Sequence, residues 1–312
     1  MTTLLLVEHA GGEPDELSLQ ALALARSLGG PIEAVLVGGS EAAAKLGVDA
    51  AHVASVDGSY APGAWAASVV DVAERIRPAA IVAAGTDRGN EVLAHVSCRL
   101  ELPLAANCVA ATPGDVLQVT RQRWGGSLLE EARVHGLPAL LTVAPHAVAA
   151  EAAGTCPRVE EFTPALSEAD LLVRVVETVP AASGGVSLAE AKVVVSGGRG
   201  VGSAEGFAII EELAGLLGGA VGCSRVVTSA GWRPHTDQVG QTGTKVSPDL
   251  YIACGISGAT QHIAGCKGAK KILAINDDPE APILASADFA VIGNLHEIVP
   301  AISAELRKAR AT

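Results

Sequence analysis

The stretch Leu250-Tyr251-Ile252-Ala253-Cys254-Gly255-Ile256-Ser257-Gly258-Ala259-Thr260-Gln261-His262 runs from an apolar segment through a Gly-Ser turn into a helical start. An apolar run without polar alternation is the pattern of a strand covered on both faces, as in a parallel sheet. The segments around it repeat the unit. Strands are predicted at Lys192–Val195, Ala220–Gly222, Leu250–Ala253, Lys271–Ile275 and Phe289–Ile292. Helices are predicted at Ala204–Leu217, Thr260–Gly265 and Leu295–Lys308. This alternation specifies an open, doubly wound α/β sheet, which binds ligands beyond the carboxyl ends of its strands.

The first half alternates in the same way. Strands are expected near Leu4–Val7, Ile32–Val37, His52–Val56 and Ala80–Ala84, with helices such as Ser18–Leu28 and Ala64–Arg77. Leu117–Arg123 and Leu140–Val143 are further strand-like runs. From Thr155 to Gly185 periodicity fails amid Pro157, Pro164, Pro180 and Ser183-Gly184-Gly185, which sets a domain boundary near residue 185. The expected fold is therefore α/β in two domains, 1–185 and 186–312, each a mostly parallel sheet flanked by helices. A length of 312 residues suits two such cores.

Composition narrows the function. Lys plus Arg number 22 against 34 Asp plus Glu, a net charge of −12, which argues against a nucleic-acid binder. With 49% apolar and 18% charged residues the chain is not of a disordered type. Its longest apolar stretch, Leu137–Ala150, is cut by Pro138, Pro145 and His146 and falls short of a membrane span. The opening residues read as a first strand rather than a signal peptide. The six cysteines include no C-x-x-C pair, the usage of reduced thiols in a cytoplasmic protein, and no metal site is expected from them or from the scattered histidines.

Chemistry concentrates where the second set of strands ends. After the first comes Ser196-Gly197-Gly198-Arg199-Gly200-Val201-Gly202, glycines that can turn several N–H groups onto one anion beside an arginine. The glycine spacing is not G-x-G-x-x-G, and no Gly-Lys-Ser/Thr follows to make a Walker A loop. Ser224-Arg225 follows the second strand, and Gln238-Val239-Gly240-Gln241-Thr242-Gly243 precedes the third. Ser257, Gly258 and His262 lie beyond the third strand, Asn276 ends the fourth, and Asn294 follows the fifth. Singly, each is ordinary turn or capping chemistry. Converging on one sheet edge, they suit a ligand with a pyrophosphate and a polar heteroaromatic ring.

In order and spacing these segments, with Gly265, Ala274-Ile275-Asn276 and Asp278-Pro279-Glu280-Ala281-Pro282-Ile283, resemble the electron transfer flavoprotein alpha subunit. The likeness is dense over residues 190–305 and collinear in the first half through Gly85-Thr86, Arg88-Gly89 and Trp124-Gly125-Gly126. It implies one non-covalent FAD per heterodimer, held by this chain, and a beta subunit that carries AMP and docks on the first half. It further implies electrons received from acyl-CoA and related dehydrogenases and passed, through a flavin semiquinone, to a membrane quinone oxidoreductase. Such a chain is a carrier without substrate turnover of its own.

Carried over by position, the resemblance places Arg199, Ser224, Ser257 and Gly258 on the pyrophosphate and adenosine side. Val239, Gly240, Gln241 and Thr242 follow the ribityl chain and flavin edge, with the Thr242 hydroxyl near N5. Ala259, Thr260 and Gln261 belong to the helix-opening loop, His262 reaches the C2 carbonyl, Arg225 lies against the isoalloxazine and Asn276 fixes the adenylate half. Arg225, Thr242 and His262 are thus the redox-tuning residues. Asn294-Leu295 stands where the family usually has Asp-Leu, so that contact loses its charge. A cation at about 4 Å in an effective dielectric of about 20 contributes at most roughly 4 kcal/mol, or roughly 170 mV for one electron. Two other readings stay open on the residues alone: a nicotinamide-dinucleotide-binding dehydrogenase-like domain, and a non-redox adenine-nucleotide-binding module.

Overall fold

The computed structural model describes residues 2–56, 60–126, 128–150, 157–177, 187–188 and 191–311. It divides into two compact units, Met1–Val179 and Pro180–Thr312. The boundary expected near residue 185 lies outside the described residues.

In the first unit the strands of the large sheet are β1 (Thr3–Leu6), β2 (Ile32–Val37), β3 (Ala50–Ala54), β4 (Ala80–Ala84), β5 (Leu104–Thr112), β6 (Leu117–Arg123), β7 (Leu128–Val134), β8 (Ala139–Val143) and β9 (Arg158–Phe162). They form one nine-stranded sheet in the order β9-β3-β2-β1-β4-β8-β5-β6-β7. It is parallel from β9 to β5, and β6 and β7 extend it as antiparallel strands. Helices α1 (Glu16–Ser27), α2 (Pro62–Ile76) and α3 (Asp87–Leu100) cover it. Apolar side chains alternate between the faces: Leu5 and Val82 join the core under α1, and Leu4 and Ile81 the core under α2 and α3.

Several of these elements differ from the sequence reading. β3 lies two residues earlier than expected, because Ala50 and Ala51 pair with Glu33 and Ala34 of β2. β7 is mostly exposed and its sequence, Leu-Leu-Glu-Glu-Ala-Arg-Val, has no apolar–polar alternation, so only its pairing with β6 marks it. β9 falls in the proline-bearing stretch that reads as aperiodic; with Val159, Glu160 and Glu161 it has the charged character of an edge strand. It is held by its register on β3, by Glu160 near the buried His52 (3.5 Å) and by Arg75 stacked 4.6 Å from the Phe162 ring.

The second unit follows the reading closely. β10 (Val193–Gly197), β11 (Ala220–Cys223), β12 (Leu250–Cys254), β13 (Ile272–Asn276) and β14 (Phe289–Ile292) form a five-stranded parallel sheet in the order β11-β10-β12-β13-β14. Its helices are α4 (Ala208–Leu217), α5 (Arg225–Ser229), α6 (Thr260–Cys266) and α7 (Leu295–Ala311). Val194, Tyr251, Ala253 and Ala274 face the α6 side, while Val195, Ile252, Cys254 and Ile275 face α4 and α7. Two covered faces explain the unbroken apolar runs of β10 to β13, whereas the edge strand β14 leaves Phe289, Val291 and Ile292 exposed. α5 has no counterpart in the sequence reading, being a five-residue helix too short to show a period.

Candidate functional site

The strand order of the second sheet reverses at β10: the chain continues to β11 on one side, and β12 lies on the other. A ligand of an open sheet binds at the carboxyl ends of two such strands. Here the loops that follow them touch. Gly198 N–H donates to Cys254 O at 2.8 Å and Gly200 N–H to Gly255 O at 3.0 Å, while Val201 and Gly202 N–H turn back onto Gly198 O and Arg199 O. The segment whose glycines suggest an anion cradle therefore commits those donors to carbonyls. It is a backbone splice that leaves Arg199 exposed above it.

The uncommitted donors lie on the other loop. From Ser257 through Gln261 no backbone N–H has a hydrogen-bond partner among the described residues. The loop is held by its carbonyls: Ser257 O accepts from Ile283 N–H at 3.0 Å, and Gln261 O from Gln241 N–H at 2.7 Å. Gly258 sits at φ +87°, where a Cβ would overlap the Ile283 backbone, so both conformation and approach require glycine. Consecutive unpaired N–H groups favour an anion.

A third arm is the loop between β11 and β12. Val239 N–H donates to Cys223 O at 2.9 Å and a bridge at Cys223–Gln238 ties the arm to the sheet edge, while a Val239–Thr244 bridge closes the arm on itself. Gln238, 2% exposed, binds Thr228 Oγ1 through Oε1 at 2.7 Å and donates from Nε2 to Thr242 Oγ1 at 3.0 Å. One buried amide thus joins α5, which carries Arg225, to the exposed Thr242. On the far side Gly265 of α6 lies against Gly240 so closely that a Cβ would overlap its backbone.

The sixteen positions singled out from the sequence fall into two sets. Arg199, Arg225, Gln241, Thr242, Ser257, Ala259, Thr260, Gln261 and Asn294 are exposed, and Ser224, which precedes α5, is half-buried. Neither Arg199 nor Arg225 has an ion-pair partner among the described residues. Val239, Gly240, Gly258, His262, Asn276 and Leu295 are buried. Asn276 uses its amide internally, donating to Ile256 O (2.9 Å) and accepting from Asp278 N–H (3.0 Å). Asn294 begins α7 by accepting from His296 N–H at 3.0 Å, and Leu295 packs beneath Gly200 and Gly255. His262 is 6% exposed, with Nε2 2.8 Å from the Tyr251 hydroxyl, and burial lowers its pKa to about 4.

The sequence reading assigns no role to Gln238, Tyr251 or Ser196. Tyr251 carries a usable signal, because a tyrosine inside a fully buried strand needs a partner for its hydroxyl. Cys223, Cys254 and Cys266 are buried thiols whose pKa is pushed up to about 12, so they pack as small apolar groups. In the first unit a cavity of about 530 Å³ lies among Leu28, Val116 and Leu137, but at the amino ends of β1, β4 and β8, away from the edge where parallel sheets carry chemistry.

The site fits a dinucleotide with an anionic centre: unpaired N–H groups, two unpaired guanidiniums, exposed hydroxyls and amides, and a rigid backbone floor. Among the described residues no helix is long and apolar enough to cross a membrane. Comparison with known proteins agrees with the site. Residues 3–167 match the electron transfer flavoprotein domain, and residues 187–267 match the electron transfer flavoprotein FAD-binding domain. The chain is 37% identical to the electron transfer flavoprotein subunit alpha of Syntrophomonas wolfei over 314 residues, covering 98% of this chain and 99% of that protein. It is 40% identical to the Mycobacterium leprae subunit over 316 residues (96% of each chain) and 41% identical to that of Mycobacterium tuberculosis H37Rv over 317 residues (98% of each).

Proposed function

Because the chain belongs to the family of electron transfer flavoprotein alpha subunits, we propose that it is the FAD-holding half of a two-subunit electron carrier. One FAD per heterodimer is held without a covalent bond by residues 186–312. Residues 1–185 form the scaffold on which a beta subunit, with its own AMP, docks. Electrons come from acyl-CoA and related dehydrogenases and leave to a membrane quinone oxidoreductase. The chain turns over no substrate of its own and works in the cytoplasm, in keeping with the free thiols of its described cysteines.

Bound FAD supplies the one-electron redox chemistry; the chain supplies grip, orientation and field. Arg199, Ser224, Ser257 and Gly258 take the pyrophosphate and adenosine side, with the unpaired N–H groups of Ser257 through Gln261 as donors. Val239, Gly240, Gln241 and Thr242 take the ribityl and flavin side. Arg225 contributes the positive charge that favours electron uptake. Asn276, Asn294 and Leu295 act from beneath, holding the loops that bind.

The observation that carries this reading is the run of unpaired backbone donors at the strand-order reversal, flanked by two arginines without acidic partners. The visible spectrum of the complex purified with its beta subunit tests it. Flavin bands at one FAD per heterodimer are expected. A colourless complex that takes up AMP or NADH but no FAD refutes the reading.

A further inference from the structure

Beneath the third arm of the site is a buried polar chain. Ser196 of β10, Tyr251 of β12 and His262 of α6 meet with relative exposures of 0%, 0% and 6%. The Tyr251 hydroxyl is 2.8 Å from His262 Nε2, and the two rings are tilted by 52°. Ser196 Oγ is buried near the phenol and has no partner of full hydrogen-bond geometry among the described residues, the phenol included. His262 Nδ1 also lacks one; the group it faces is the backbone of Val239. We propose that Tyr251 is a positioning residue that donates to His262 Nε2 and thereby fixes the imidazole as the tautomer with its proton on Nδ1.

Which atoms carry protons follows from counting donors. Val239 has given its N–H to Cys223 O at 2.9 Å, so its carbonyl is what it can offer Nδ1. A bare Nδ1 lone pair would face that carbonyl with repulsion; an Nδ1–H meets it favourably. A proton on Nδ1 leaves Nε2 as an acceptor, which the Tyr251 O–H fills. The phenol oxygen keeps its lone pairs, and the unpartnered Ser196 hydroxyl lies near them. The phenol and imidazole protons then both have a direction. The opposite tautomer sets a bare Nδ1 against the Val239 carbonyl and turns the phenol proton away from Nε2, leaving unmet polar groups in a buried site, where they are costly.

The ring stays uncharged. Burial lowers the His262 pKa to about 4, and the titratable groups around the phenol are the thiols of Cys266, Cys223 and Cys254, each pushed up to about 12. This deepens the FAD-holding reading and rests on it for its consequence. His262 presents a fixed N–H beneath Val239 and Gly240 rather than a cation, so charge tuning falls to Arg225. The Tyr251–His262 hydrogen bond ties β12 and α6 into one support for that loop, with Ser196 of β10 buried beside it.

The test is ¹⁵N NMR of the full chain labelled at histidine, with His262→Gln used to assign the signal. At neutral pH, with and without FAD, the His262 ring is expected to be protonated at Nδ1 and bare at Nε2. Tyr251→Phe keeps the ring and removes the donor; it should reduce the Nδ1–H to Nε2–H ratio about tenfold, the worth of one hydrogen bond. A wild-type signal protonated at Nε2 overturns the proposal even if Tyr251→Phe does not fold. So does an unchanged ratio in a folded Tyr251→Phe protein. FAD retention is read separately by absorbance: a flavin-free protein with the expected tautomer rejects the cofactor reading alone, and a flavin-bearing protein with the wrong tautomer rejects this one alone.

Discussion

Gly200→Ala is the sharpest perturbation of the platform on which the proposed cofactor lies. A Cβ at Gly200 would stand 2.8 Å from Gly255 Cα and 3.2 Å from Gly255 O, whereas ordinary contact begins at 3.4 Å. Both obstacles are backbone, so neither can swing away, and Leu295 Cδ2 at 3.3 Å closes the side below. The loops after β10 and β12 must separate by about 0.6 Å, straining the bond from Gly200 N–H to Gly255 O. Overpacking of this kind costs about 1–3 kcal/mol and lowers the melting temperature by roughly 3–10 °C. A misplacement near 1 Å costs about a hundredfold at a preorganised site, so a roughly tenfold weaker FAD dissociation constant is expected here. Gly215→Ala is the control: it lies within α4 with nothing inside 4 Å of its Cβ, and should stabilise by about 0.5–1 kcal/mol with FAD binding unchanged. Melting curves followed by circular dichroism and FAD titration by fluorescence read both effects. If Gly200→Ala melts and binds like the parent, the two loops do not form one rigid floor and the reasoning fails.

Other outcomes follow from the same geometry. Arg225→Ala should lower the flavin midpoint potential by roughly 10–45 mV, because an exposed charge contributes about 0.2–1 kcal/mol and not the fully desolvated limit; spectroelectrochemistry showing no shift removes Arg225 as a tuning residue. The second unit should lose stability as pH falls from about 6.5 to about 4, since over that window the unfolded state takes up a proton that folded His262 refuses. The loss approaches about 3 kcal/mol, and His262→Gln should flatten it in acid-denaturation curves. Among the described cysteines, Cys98 is exposed and should be alkylated in the native protein, while Cys108, Cys223, Cys254 and Cys266 react only on unfolding, as peptide mass mapping would reveal. Arg99→Ala removes the cation beside the buried Asp170 carboxylate and should expose the segment 163–177 to limited proteolysis at a stability cost of about 1–3 kcal/mol.

The elements read correctly from the sequence are those whose signal is local. β10 to β14 are short apolar runs between turn residues, and each appears within two residues of its expected bounds. The exposed members of the site are legible for the same reason: Arg199, Arg225 and Ser257 lie within three residues of strand ends, and a parallel sheet brings all its carboxyl ends to one edge. The misses are non-local. β5, an alanine-rich run not read as a strand, is set by its pairing with β8 and β6, and β7 and β9 are mostly exposed, charged segments that become strands because β6 and β3 offer unpaired edges in register.

By itself, then, the amino-acid sequence determined the alternation of strand and helix, the sheet edge that carries chemistry, and the family, because these depend on period, order and spacing along the chain. Tertiary structure alone decided which backbone donors remain available. The Gly197–Gly202 loop reads as the anion cradle, yet the N–H groups of Gly198 and Gly200 are taken by the carbonyls of Cys254 and Gly255, more than fifty residues away. Those of Val201 and Gly202 turn back onto the loop itself, while those of Ser257 through Gln261 are not taken. It also decided that His262 meets Tyr251 instead of solvent. A hydrogen bond is settled by what stands opposite a group across a sheet or a loop, and that neighbour is chosen only when the chain packs.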